Sequence, residues 1–380
     1  MRLFIFFFFL VYGLFHVYAF FRVRAALTLS FRTNIFIAIF MLIMVLAPFI
    51  INFSERQGFE FFARVMSYIG YIWMGVLLLF VTSSLLFEIY RLVIYLAALI
   101  SRKNLSTMFP SAGFSFFIPL VLSIAVGTYG FFEARNVRTE QVTIRTSKLP
   151  DNISRFKIVQ ISDVHIGLIV REERLKRIVN EVKLAEPDIL VSTGDLVDGQ
   201  INRLAGLEEI LNEINPRYGK FAITGNHEFY AGIDQALDFT RKAGFKLLRG
   251  ESVHVGDIMN IAGVDDPAGN TFNRYNKVSE KALLLELNNG RFTLLLKHRP
   301  FVDNDSQGLF DLQLSGHTHK GQIFPFSLIT KMFFPHQSGI FNLLNNSILY
   351  VSRGTGTWGP PIRFMSPPEV TVIELVKQKN

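Results

Sequence analysis

The chain has 380 residues, half of them apolar and only 18% charged, with 39 phenylalanines, no cysteine and a formal net charge of +8. Without cysteine there can be no disulfide and no thiolate metal site, so any metal would be held by histidine, asparagine and carboxylate. The positive charge sits mainly in the first third: residues 1–137 hold 10 Lys/Arg against 4 Asp/Glu, and the remainder 29 against 27. A nucleic-acid binder would carry its basic patch in the polar part of the chain, so no nucleic-acid partner is expected.

The length admits two to three domains. Residues 3–21 form an apolar run of about 19 residues, enough to cross a hydrocarbon core of ~30 Å. The run lacks a small-x-small cleavage site and a twin-arginine pair, so a retained span is expected rather than a removed signal. His16, inside it, reads as a packed structural histidine. Further spans are expected at 34–52, 67–87 and 113–132. The third helix should continue past Glu88 and Arg91, three apart and able to pair, to Ile100. Pro119 is tolerated within the fourth span. Residues 1–135 are thus expected to be an anchor of about four transmembrane helices in the plasma (inner) membrane. A transporter or channel would place ionisable groups at mid-membrane, and these spans lack them. Loops 22–33 and 88–112 lie on one side and hold six Lys/Arg, which makes that side cytoplasmic and the C-terminal part extracytoplasmic. Arg135, Arg138, Arg145 and Lys148 oppose that bias.

From about Val137 short strands alternate with amphipathic helices. Strands are predicted near 156–162, 188–193, 221–224, 246–248, 258–264, 292–296, 312–315, 348–352 and 370–376. A helix at 171–184 has Leu175, Ile178, Val179 and Val182 at helical spacing, and another is expected at 204–214. Alternation followed by strand-rich sequence implies a layered α/β domain with two sheets. His254, in a strand, and His336, in an aromatic loop, read as structural.

Five segments end such strands with metal-ligand chemistry. Asp163 and His165, followed by Gly167, can converge on one cation as the chain leaves the sheet. Asp195 follows Gly194, and its two oxygens can bridge a pair of cations. Asn226, after Gly225, offers a neutral amide oxygen. His298 and the pair His317/His319 end two further strands. Taken singly, Asp-x-His or Gly-Asp is more often a turn or a cap. With His227, next to Asn226, the segments account for five of the chain's eight histidines, and ligands of α/β sheets collect beyond the carboxyl ends of strands.

The set Asp163-Val-His165, Gly194-Asp195-Leu-Val-Asp198, Gly225-Asn226-His227-Glu228, His298 and Gly316-His317-Thr-His319 closely resembles the calcineurin-like metallophosphoesterases, over about residues 150–380. The resemblance implies a β-sandwich flanked by helices and two divalent metal ions. Asp163, His165, Asp195 and His319 would hold one, and Asp195, Asn226, His298 and His317 the other. His227 would face the substrate instead and can act as a general acid. Asp198 and Glu228 are expected as outer carboxylates that orient imidazoles. Mn, Fe, Zn and Ni all suit such ligands.

Asp265-Asp266-Pro is open to two readings, a substrate contact at Asp266 or a turn. Arg353 and Arg363, around a Gly-rich stretch with Trp358, are candidate contacts for phosphate or a lipid headgroup. The expected whole is a membrane-anchored metallophosphoesterase domain acting on a phosphodiester or pyrophosphate. A lipid-linked substrate such as UDP-diacylglucosamine comes first, with membrane lipid as a partner. The alternatives are a soluble phosphodiester, or a non-enzymatic membrane sensor or scaffold.

Overall fold

The computed structural model describes residues 2–199, 204–287 and 289–378, with the side chains of Arg2 and Phe4 excepted. Two compact units result: Met1–Phe132 with Gly359–Phe364, and Glu133–Trp358 with Met365–Asn380.

The first unit is built on helices α1 (Arg2–Ala26), α2 (Phe31–Arg56), α3 (Glu60–Ser101) and α4 (Phe114–Glu133), all long and apolar enough to cross a membrane. Their outward faces carry large apolar side chains such as Phe36, Phe49, Leu86 and Val121. Where α2 meets α3 the contact is small: a Cβ on Gly70 would lie 2.7 Å from that of Ala47. Such residues let apolar helices approach closely where lipid competes for every larger side chain. His16 is bound on both nitrogens, its Nδ1 2.8 Å from the Tyr12 carbonyl and its Nε2 accepting from the Trp73 indole at 2.9 Å. That is a packed histidine, as read from the sequence. Glu88 lies 3.8 Å from Arg91, but its shorter partner is Arg22 at 2.6 Å. The third helix begins at Glu60, earlier than the expected 67, with the carboxylate of Glu60 in its first turn.

The second unit contains β1 (Arg138–Thr146), β2 (Arg155–Ile161), α5 (Glu172–Leu184), β3 (Ile189–Ser192), α6 (Leu207–Asn212), β4 (Lys220–Ala222), α7 (Asn226–Ala231) and α8 (Ile233–Lys242). It continues with β5 (Lys246–Leu247), β6 (Glu251–Val255), β7 (Met259–Gly263), α9 (Glu280–Leu285), β8 (Phe292–Leu296), β9 (Leu312–Ser315), α10 (Phe326–Phe333), β10 (Gly339–Asn342), β11 (Ile348–Val351) and β12 (Glu369–Lys377). One six-stranded sheet runs β1-β12-β2-β3-β4-β5 and is parallel except at β12–β2. The other runs β10-β11-β9-β8-β7-β6 and is antiparallel only at its two outer pairs.

Strand periodicity builds three apolar layers. Ile158, Ile189, Val191, Leu294, Leu296 and Leu314 meet between the sheets. Their neighbours Val159 and Leu190 pack with Leu175, Ile178 and Val179 of α5 and with Ala236 and Phe239 of α8. On the other side Ala262 and Leu295 pack with Leu283 and Leu284 of α9. Strands buried on both faces explain why the sequence reads as short apolar runs rather than clean alternation. Helix α5 forms where expected: Glu172 and Glu173 occupy its first turn, and Lys176 and Arg177 pair with them at 2.7 Å, one turn on.

Two boundaries differ from expectation. The sheet begins at Arg138 rather than near 150, because β1 pairs in parallel with β12 through all nine of its residues. Residues 359–364 belong to the helical unit: the Arg363 N–H donates to the Gly130 carbonyl at 2.9 Å, and the Phe364 ring lies 6.4 Å from that of Tyr129. The helix expected at 204–214 is only the short α6, in which Leu207, Ile210 and Leu211 are buried.

Candidate metal centre

The loops that leave β2 and β3 are laced together by backbone hydrogen bonds. Asp163 N–H donates to Gly194 O and His165 N–H to Asp195 O, both at 3.0 Å. This forces side chains inward from unusual backbone conformations. Asp163, His165, Asp195, His317 and His319 all have positive φ, between 46° and 70°. Left-handed conformations cost a non-glycine residue about 1–3 kcal/mol and cluster at functional sites. Five in one small volume, all of them expected ligands, mark the site independently of their chemistry.

Two flanking glycines are needed for closeness. A Cβ on Gly225 would stand 2.2 Å from Asp195 Oδ1, and one on Gly316 would stand 1.9 Å from Ser162 Oγ. Neither contact is physically possible.

Asp163, His165 and His319 form one buried group of potential ligand atoms, and Asp195, His298 and His317 another. His165 Nε2 lies 3.1 Å from His319 Nε2, which is 3.5 Å from Asp163 Oδ1. His298 Nε2 lies 3.1 Å from His317 Nδ1 and 3.3 Å from Asp195 Oδ2. The same Asp195 oxygen is 3.9 Å from His165 Nε2, so this carboxylate stands between the groups. Asn226 is buried, and its Oδ1 has no hydrogen-bond partner among the described residues; nor has His165 Nδ1. Paired imidazole nitrogens, a shared carboxylate and an orphaned amide oxygen together make a donor set that fits two cations. An unsatisfied buried acceptor otherwise costs about 1–3 kcal/mol.

The surroundings orient these groups. His298 Nδ1 sits 2.8 Å from the Thr193 carbonyl, which turns Nε2 inward. Ser162 Oγ donates to Asp163 at 2.5 Å, and the His317 N–H donates to both oxygens of the same carboxylate at 3.0 Å. His227 Nδ1 lies 2.8 Å from Asp198 Oδ1, and the His227 N–H donates to Asp195 Oδ1, also at 2.8 Å. Burial pulls the His227 imidazole down, but Asp195 and Asp198 outweigh it and push it up to about 9. Burial holds His165 at about 4, a neutral donor. Asp195 would rise on burial, yet His298 and His227 bring it well below the usual carboxylate range.

Four expectations need correction. Glu228 does not orient an imidazole: its carboxylate accepts the N–H groups of Asp195, Leu196, Val197 and Gly225 at 2.7–3.4 Å. It holds the two ligand loops in register instead. Asp266 is buried and committed to Arg299, Oδ2 to Nε at 2.7 Å and Oδ1 to Nη2 at 2.9 Å, while Oδ1 also caps Ala268 N–H. Asp265 is likewise clasped by Arg249 at 2.7 Å, so Asp265-Asp266-Pro is a turn that fastens two arginines. Arg353 is neutralised by Glu369 at 2.5 Å and Glu140 at 2.7 Å. Arg363 is fully buried within the helical unit, where a guanidinium cannot meet a solute. His254 bonds Asn260 at 2.8 Å, and His336 packs on Phe341 with ring centroids 4.7 Å apart.

Trp358, singled out in the sequence, stands at the site beside neighbours that were not foreseen. Tyr230 and Trp358 stand against His227, at ring distances of 5.4 and 6.0 Å, and Phe334 stands 5.1 Å from His317. Arg299 follows His298 directly. Aromatic and cationic side chains outside the ligand pattern carry no spacing signal, so only the fold reveals them.

Two sheets whose strand ends gather these carboxylates, imidazoles and one amide define a metal-dependent phosphoesterase. Residues 156–321 match the calcineurin-like phosphoesterase family. An uncharacterised metallophosphoesterase of Aquifex aeolicus is 40% identical over 262 residues, 69% of this chain and 100% of that one. Another from Campylobacter jejuni is 30% identical, with 97% of each chain covered. The zebrafish (Danio rerio) transmembrane protein with metallophosphoesterase domain is 31% identical over 68% of this chain and 62% of its own. The chain belongs to the calcineurin-like metallophosphoesterases.

Proposed function

We propose that this is a membrane-anchored dinuclear phosphoesterase that hydrolyses a phosphodiester or pyrophosphate bond at the bilayer surface, with a lipid-linked molecule such as UDP-diacylglucosamine as substrate. The observation that carries the reading is the convergence of Asp163, His165, Asp195, His298, His317 and His319 into groups of ligand-type atoms, five of the six in left-handed conformations. Asp163, His165, Asp195 and His319 would hold one cation, and Asp195, Asn226, His298 and His317 the other. When bound, the cations supply Lewis-acid charge to the phosphoryl oxygens and make water nucleophilic at neutral pH. His227, charged and steadied by Asp198, donates a proton to the leaving oxygen. Glu228 keeps the loops that carry Asp195 and Asn226 in place through four backbone N–H groups.

The four apolar helices anchor the domain, with the catalytic unit on the extracytoplasmic side of the plasma membrane, as the six Lys/Arg of the two opposite loops support. A scaffold would not need five strained ligands. The test is metal-dependent hydrolysis of a chromogenic phosphodiester by the full chain. Asp195→Asn and His227→Ala should each abolish turnover while the protein stays folded. Unchanged turnover in both variants would sink the assignment.

A further inference from the structure

Helix α10 follows the loop that carries His317 and His319 and turns a large apolar face outward. None of its eight residues is buried, although Phe326, Leu328, Ile329, Met332 and Phe333 are large and apolar. Met332 is 81% exposed and Phe333 68%. Exposed apolar patches on this scale mark a surface that something else covers. A free eight-residue helix is marginal in water, so this one is held by what surrounds it.

Its fastenings lead to the site. Phe334, its C-cap, packs between His317 and Phe301 with ring centroids 5.1 and 5.2 Å away. Thr318, between two expected ligands, donates through Oγ1 to the Gln337 carbonyl at 2.6 Å, and Gln337 Nε2 donates to the Ser327 carbonyl at 2.7 Å. Gln322, just before α10, grips the backbone of Trp358 twice, at 2.9 and 3.0 Å. Trp358 is half-exposed beside His227. The chain then passes, one peptide bond later, into Gly359–Phe364, the six residues that pack with the apolar helices. The apolar rim is therefore continuous in sequence with the membrane-type unit.

The charge pattern fits as well. Lys331 is the only charged residue of α10, and Lys320 precedes it. Apolar and aromatic residues with scattered lysine, and a nearby tryptophan, are the composition of helices that lie in the headgroup region.

We propose that α10, with Trp358, seats in the headgroup–acyl boundary of the membrane that the four helices cross, so that a lipid's phosphoester reaches the metal centre from the bilayer side. This rests on the lipid-linked reading above. The covering partner is lipid rather than a second protein, because the anchor keeps a bilayer permanently at hand, which is an effective concentration no soluble partner matches.

The cysteine-free chain makes the test direct. Full-length Met332→Cys, reconstituted in phosphatidylcholine/phosphatidylglycerol vesicles, would carry an environment-sensitive fluorophore; Lys242→Cys, exposed at the last residue of α8, is the control. Nitroxide-bearing lipids should quench the Met332 probe by half or more and aqueous iodide hardly at all, with the reverse at Lys242. Iodide quenching at both sites without lipid quenching would overturn the proposal. So would a disulfide between two Met332→Cys chains without lipid quenching, which would assign the face to a second copy. In the same vesicles, Leu328→Glu/Met332→Glu should slow hydrolysis of a long-chain lipid phosphodiester at least tenfold and leave a short chromogenic phosphodiester unaffected. Equal rates for variant and wild type on the lipid would count against α10. If wild type ignores the lipid while Met332 remains lipid-quenched, the seating of α10 is supported and the substrate reading fails.

Discussion

The two units solve opposite problems with the same backbone rules. In the helical unit many large apolar side chains face outward around a small apolar core that includes Leu77, Phe80 and Phe116, and His16 is held between Tyr12 and Trp73. In the catalytic unit the apolar side chains are sealed into three layers, and the polar ones gather where the chain leaves the strands. Strain follows the same division. Asp163, His165, Asp195, His317 and His319 have positive φ, whereas the only such non-glycine residue among α1–α4 and their connections is Arg102, the residue that closes α3. A fold can hold polar groups in costly conformations only where a rigid, apolar frame over-determines them.

The comparison can be broken at graded points. Asp195→Asn should have the largest effect, about a thousandfold or more in kcat/KM, because it removes the negative charge and one of the two oxygens of the carboxylate that stands between both ligand groups. Gly225→Ala comes next. Its Cβ has no room beside Asp195 Oδ1, so thermal unfolding should show a loss of about 3 kcal/mol together with loss of activity. Asp198→Asn should leave the fold intact and lower turnover about 10–100-fold, since it only removes the support of His227 Nδ1. Smallest of all, His16→Leu should cost about 1 kcal/mol of helical-unit stability and leave the hydrolytic rate untouched. A large catalytic effect at His16 would dissolve the division between the units.

The candidate ligands could be picked out because cation chemistry restricts such residues to a few types, and strand ends restrict them to a few places. Asp163 through His319 could be read without knowing what lay next to them. Glu228 could not: its glutamate looks the same whether it orients a ring or collects backbone N–H groups, and only the proximity of the Asp195 loop decides. Arg353 and Arg363 were misread for a related reason. A Gly-rich stretch with arginines suggests an anion site, but Glu369 and Glu140, distant in sequence, neutralise the first, and burial within the helical unit removes the second. Strand β1 escaped because its polar, half-exposed residues are those of a sheet edge, and its partner β12 lies at the other end of the chain.

The two-cation centre is tested most directly by elemental analysis of the purified full-length protein beside Asp195→Asn. About two equivalents of divalent metal per chain are expected in the wild type, falling to about one or fewer in the variant. Background metal in both proteins would contradict it.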